Sequence, residues 1–323
     1  MEITNPHDKF FKDNFTDKDI VKDFIKGSFP KDLQNNLDLS SLELDNNSYI
    51  DEELKEYYSD IVYNCLYKKL DIKITILFEH KSYIPDYPFL QLLKYMIKVW
   101  DFNIKNKEKL MPIIPIIFYH GKDRWEYIKV FRYFDEIDDI LKPYLPNFDY
   151  LLTDLSSLSD ADIKDRIFQN ELLKVSLLIM KNINDEEKLK INLENFLFLG
   201  KLYYEEEKGL RFLEAIIRYI YSSTEISVND MVESITKISE KGGNLVMTTA
   251  TKLMEKGRIE GKLEGKLEGK LEGKLEGKLE GKLDIAINMV KDGLSVDKIV
   301  MYTGLSKKEV EGLIKKYNKE LNI

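Results

Sequence analysis

A chain of 323 residues with 43% hydrophobic and 33% charged side chains can bury a proper core, which excludes a disordered or fibrous protein. Its formal net charge of −8 argues against tight nonspecific binding of nucleic acid over the whole surface, while leaving room for a local basic groove. No run of about 18 uninterrupted apolar residues occurs, so no membrane-spanning helix is expected.

The start, MEITNPHDKF, lacks the basic-then-apolar order of a signal peptide. From Asp8 to Ser28, Phe10, Phe11, Phe15, Ile20, Val21, Phe24 and Ile25 recur at helical spacing. Thr16 or Asp17 can cap a second helix there, and Gly27 with Pro30 ends it. Residues 31–56 are polar, with a short strand expected at Leu37–Leu44. Two apolar runs follow. The first begins at Asp60 and contains the lone cysteine, Cys65, which suits a reducing cytoplasm and serves as a small apolar side chain. The second, Ile72–Phe78, ends on Glu79-His80-Lys81 rather than on a turn residue.

Pro85 and Pro88 break the chain before a helix with Leu90, Leu93, Met96, Ile97 and Trp100 on one face. PIIPIIFYHG (112–121) reads as a third buried strand, whose prolines favour an edge or the strand ends. FDYLLTDL (148–155) reads as a fourth. Mixed strands and helices in residues 1–155 indicate one α/β domain. Ser159 and Asp162 open a long helical pattern through Ile183, followed by helices near 185–200, 208–222 and 228–256. The region 156–258 is therefore a helical second layer or a small helical domain.

Residues 259–283 form a low-complexity segment holding six copies of Glu-Gly-Lys-Leu. A four-residue period drifts about 40° per copy on a helix, so the leucines make no straight stripe. Like charges stack at i,i+4, and each glycine costs about 1 kcal/mol against alanine. A floppy spacer is expected here in preference to a helix held by self-association. In the tail, 284–323, Gly293 ends an amphipathic stretch, Ser295 caps a short helix, and Ser306 with Glu309 makes a capping box for another. Three short helices with a Gly304 turn resemble a helix-turn-helix. Residues 255–323 carry fifteen basic and thirteen acidic side chains, a thin margin for reading DNA, so oligomerisation through the repeat and these helices is the competing role.

Asp60, Glu79 and Lys81 carry the candidate chemistry. Residues two apart on a strand share a side, so Glu79 and Lys81 face together while His80 faces away. A hairpin at Lys68–Asp71 places Asp60 on the neighbouring strand, bringing two carboxylates and an amine to one spot. Mg²⁺ takes oxygen ligands and keeps several waters, so Asp60, Glu79 and the backbone carbonyl of His80 are enough to hold it, or Mn²⁺ in its place. The ion would polarise a phosphate and acidify a water, with Lys81 orienting that water or stabilising the developing charge. The competing reading makes these residues ordinary solvated strand ends, and E-x-K alone is a weak pattern. Charges seldom cap so apolar a strand without a role, which favours the site. His7, His80 and His120 show no zinc-type spacing, and Trp100 and Trp125 read as packing residues.

The order HDKFFK, SDIVY, ILFEHKS, a helix with FLQLLKYM, then PIIPIIFYHGKDRW resembles the recombination-promoting nuclease, or “putative transposase”, family of the PD-(D/E)XK superfamily. It covers about residues 5–155 closely and the helical part loosely. An EGK-type repeat near the C-terminus is also similar to the tails of such proteins. The resemblance implies a restriction-endonuclease-like α/β core with a mixed sheet flanked by helices, and Mg²⁺-dependent DNA cleavage. It assigns Asp60 and Glu79 as acidic metal ligands and Lys81 as the catalytic lysine. Many family members show glutamine where Lys81 stands, so this chain sits nearer the general superfamily pattern. Gln91 matches a polar position found near such sites, although a helix-surface glutamine explains it too. Asp8 falls where an N-terminal helix could add an acidic group, or is simply a helix-start aspartate. Three functions stand: a metal-dependent DNA endonuclease linked to recombination or mobile elements, a strand-transferring transposase on the same core, and a non-catalytic oligomerising protein associated with DNA.

Overall fold

The computed structural model describes residues 5–45, 61–68, 73–134 and 136–320. Its centre is one five-stranded mixed sheet in sequence order: β1 (Leu37–Leu44), β2 (Ile61–Tyr67), β3 (Lys73–Lys81), β4 (Ile113–Tyr119) and β5 (Leu151–Asp154). The first three strands are antiparallel neighbours, whereas β3, β4 and β5 run parallel. The fold class is therefore α/β, as expected. Pro115 lies inside β4, an interior strand, and not at a sheet edge, which corrects the expectation from its sequence; it sits beyond the reach of β5, whose pairing begins only at Ile116.

Two helices dock on one face of the sheet. In α1 (Pro6–Phe15), Asn5 caps the first turn and proline fills the first position; α2 (Lys18–Ser28) is capped by Asp17. Their apolar stripes insert Phe15 and Phe24 against Phe78 of β3 and Phe118 of β4, with ring centroids 5.3–5.8 Å apart. Such pairs add about 0.5–1.5 kcal/mol each beyond the area they bury. A single turn, α3 (Lys31–Gln34), leads into β1. The opposite face is covered by α4 (Pro88–Lys105), whose Phe89 and Leu92 pack with Ile117, Tyr119, Trp125 and Tyr150.

The helical region 156–258 does not stand apart. α5 (Glu171–Asn182), α6 (Glu186–Phe198), α7 (Glu207–Ser223) and α8 (Val228–Thr236) share one core with α1, α2 and the sheet, so they form a second layer. The long helix expected from Ser159 to Ile183 is corrected. Ser159 and Asp162 do cap each other, but a π turn ends at Ile167, and Asp23 of α2 accepts from the amides of Gln169 and Asn170, both at 2.8 Å. That tie holds the backbone out of helix, and Asn170 then caps α5. The helix expected at 228–256 is likewise split, because α8 stops at Thr236.

Two compact units result, residues 1–251 and 252–323. A single 52-residue helix, α9 (Glu240–Lys291), begins in the first and continues into the second. It runs straight through the repeat, so the floppy-spacer expectation is corrected. Val246, Thr249 and Ala250 are buried near its start and Ala286 near its end. The repeat is thus entered from helix already nucleated at both ends and needs only propagation. In the second unit, α10 (Val296–Thr303) and α11 (Lys307–Glu320) pack around Ala286, Ile299, Leu305 and Val310, joined through Gly304 at φ +66° and the Ser306–Glu309 box. Among the described residues, no helix is long and apolar enough to cross a membrane.

Candidate active site

The last residues of β3 divide between the two faces of the sheet. Phe78 and His80 turn toward α1, while Lys81 takes the other face. Glu79 pairs in register with Ile117 and Lys81 with Tyr119, both of which pack under α4. Lys81 is only 5% exposed, and its amine lies 5.9 Å from the centre of the Tyr83 ring. Burying an ammonium is costly without electrostatic support, so this is a constructed position. Asp60, the expected partner, lies outside the described residues; Ile61, which follows it, pairs with Phe78.

Gln91 lies in α4, partly buried, and its Oε1 is buried without a hydrogen-bond partner among the described residues. The Tyr95 hydroxyl and Lys98 amine are also buried on this helix. Gln91, Tyr95 and Lys98 follow one another at i, i+4 and i+7, a polar line along a helix that otherwise buries apolar groups. Reasoning from sequence took up Gln91 and missed the other two, although that spacing was the available signal. Asp154, at the end of β5, is engaged structurally: it accepts from the amides of Trp125 at 3.0 Å and Ser156 at 2.8 Å.

The other side holds an unforeseen cluster. All three histidines of the chain meet there. The rings of His80 and His120 stack at 4.9 Å and 15°, and His7 lies 4.9 Å from His120. Asp8 is no addition to the Glu79 side; its carboxylate bonds His80 Nδ1 at 2.7 Å. His7 Nδ1 bonds the Tyr219 hydroxyl of α7 at 2.8 Å. Burial, then the neighbouring His80, pushes the His7 pKa down to about 4 against the opposing pull of Asp8. Burial also holds His120 well below the usual histidine range, with His80 and His7 acting in the same direction. Burial drives the Tyr219 hydroxyl upward, and Asp8 adds to it. The sequence did carry a clue: Phe78-Glu79-His80 and Phe118-Tyr119-His120 end two strands with the same pattern.

Among the described residues, no group of three or more His, Cys, Asp or Glu side chains could hold a metal ion, the histidine cluster included. The ring of His80 faces away from Lys81, which leaves only its backbone carbonyl for the ligand role expected of it. A magnesium site of two carboxylates and one backbone oxygen needs fewer acidic groups than such a cluster, and its hard oxygen donors suit that ion.

The chain is 28% identical to the recombination-promoting nuclease RpnD of Escherichia coli O157:H7 over 254 residues, 77% of this chain and 94% of the relative. It is 24% identical to the recombination-promoting nuclease RpnA of Escherichia coli K12 over 316 residues, 96% and 97% of the two chains. A protein of the same strain named as inactive, the recombination-promoting nuclease-like RpnE, is also 24% identical, over 79% of this chain and 83% of its own. No solved structure matches the chain. The family described as “Putative transposase, YhgA-like” matches residues 5–211, and the chain belongs to it.

Proposed function

We propose that this chain is a divalent-metal-dependent DNA endonuclease with a PD-(D/E)XK active site at the carboxyl end of β3, acting in recombination or on mobile elements in the cytoplasm. One observation carries the reading: an ammonium, Lys81, is buried at the end of a strand, two residues beyond an acidic residue and under a helix that contributes Gln91. The names of RpnD and RpnA support a nuclease. Because RpnE is named as inactive at a similar identity, ancestry alone does not carry activity, and the residues must.

In this reading Glu79, Asp60 and the His80 carbonyl hold Mg²⁺, or Mn²⁺ in its place. The Ile61–Phe78 register, continued by one pair, would set Asp60 opposite Glu79. The ion supplies charge neutralisation at the scissile phosphate and a more acidic water. Lys81 orients that water and places positive charge beside the phosphate oxygens as charge builds on them. The Gln91 amide, with an unsatisfied oxygen, accepts a hydrogen bond from the same water.

The test is plasmid nicking with Mg²⁺, Ca²⁺ or EDTA. Wild type cuts with Mg²⁺ only, and Lys81→Ala lowers the rate at least about a hundredfold while melting like wild type. Cleavage that persists in EDTA or in Lys81→Ala overturns the assignment, and joined rather than cut products favour strand transfer.

We also propose that two copies associate through the repeat. Leu263, Leu267, Leu271 and Leu275 are exposed, and each is preceded by lysine and followed by glutamate. The leucine stripe winds about 40° per copy round the helix, with glutamate along one flank and lysine along the other. A parallel pair wound to follow that stripe sets glutamate against lysine along both flanks, whereas an antiparallel pair sets like against like. Sedimentation should give a dimer for the full chain and a monomer when these four leucines become serine.

A further inference from the structure

The final three residues of β3 are held from one edge by β4 and from one face by α1. Glu79, His80 and Lys81 pair in register with Ile117, Phe118 and Tyr119 of β4. The His120 amide donates to the Lys81 carbonyl at 3.1 Å, just past the end of that ladder. From the α1 side, the His80 ring is gripped closely. Its side chain is wholly buried, stacked on Phe11 at 4.8 Å and on His120 at 4.9 Å, and bonded to Asp8.

The surrounding core is apolar and aromatic, with Phe11, Phe15, Phe78 and Phe118 all fully buried. A phenylalanine at position 80 would fill such a site without any polar group to desolvate, and a histidine with a largely covered carboxylate costs stability by comparison. The bond does something that packing cannot. It fixes the rotation of the ring about its own axis and joins it to α1. The His80 backbone, whose neighbours are Glu79 and Lys81, is then referred to a helix as well as to the sheet.

We infer that Asp8 is a positioning residue: by holding His80 Nδ1 it sets the backbone between Glu79 and Lys81, and so the carbonyl and carboxylate that receive the metal ion. This rests on the nuclease reading above. Partners one shell out from a metal site typically change affinity by about 10–100-fold when removed. A merely structural contact would lower the melting temperature and leave metal affinity alone. The bond between His7 and Tyr219 is the internal comparison, since it belongs to the same cluster but reaches α7 instead of β3.

The experiment measures Mn²⁺ binding to the full chain by the loss of the free-ion electron paramagnetic resonance signal, alongside thermal melts. Asp8→Ala should weaken Mn²⁺ binding about tenfold, and Asp8→Asn, which keeps an oxygen acceptor, should stay within about threefold of wild type. His80→Phe keeps the stacked ring and loses the bond; it gives a well-folded second route to the same tenfold loss. Tyr219→Phe should lower the melting temperature with unchanged Mn²⁺ affinity. Unchanged affinity in both Asp8→Ala and His80→Phe overturns the inference alone, as does an equal loss in Tyr219→Phe. A wild type that binds no Mn²⁺ overturns the metal-dependent reading itself, and this inference with it.

Discussion

Glycine plays opposite parts in the two regions of this molecule. In the first unit a side chain on Gly209 would meet the Tyr203 carbonyl oxygen at 1.9 Å, and on Gly27 the Phe168 ring at 2.5 Å. In the repeat, Gly261, Gly265, Gly269, Gly273, Gly277 and Gly281 have nothing within 4 Å of such a carbon. The first unit uses glycine because two chain segments touch there. The repeat carries it against its own helical propensity and with no contact in this chain to explain it. Glycine is fixed point by point by contacts in the first unit, and by none in the repeat.

Substitution should separate the two. Gly209→Ala drives a methyl into backbone and should destabilise the first unit by about 2–3 kcal/mol. Trp100 and Trp125 both lie in that unit, so tryptophan fluorescence during denaturation reports it alone; an unchanged midpoint would break the comparison. Acid is the next lever. His7 and His120 stay neutral when folded, with His7 at about 4, while the unfolded chain takes up protons below about 6.5. Stability is therefore fully present above pH 6.5 and is lost as pH falls toward 4, because the unfolded state binds more protons in that window. Tryptophan-monitored melts should fall across it, and His7→Gln should flatten the slope. The smallest effect has the opposite sign. Gly269→Ala should favour helix by about 1 kcal/mol, visible as slightly raised ellipticity at 222 nm with the tryptophan transition unmoved.

Much of the architecture could be read from local pattern. The strand at Leu37–Leu44, the cap at Asp17 and the Ser306–Glu309 box all occur where periodicity and capping chemistry place them. The end of β3 at Lys81 was legible for the same reason, since strand alternation is a local rule. What escaped depends on partners far away in the chain. The break before α5 needs Asp23, 146 residues earlier, and the histidine cluster needs three separate elements to converge. The continuous α9 escaped because propensity was weighed for the repeat alone, without the buried helical turns that bracket it.

The bond between His7 and Tyr219 spans 212 residues, and the Phe10 ring stacks on Tyr219 at 4.3 Å. α1 therefore cannot complete its packing until α7 has been made. At a synthesis rate of about 5–20 residues per second, Phe10 emerges from the ribosome roughly 10–40 s before the tyrosine that covers it. During that interval one flank of α1 stays open, whereas Phe15 finds Phe78 and Phe118 sooner.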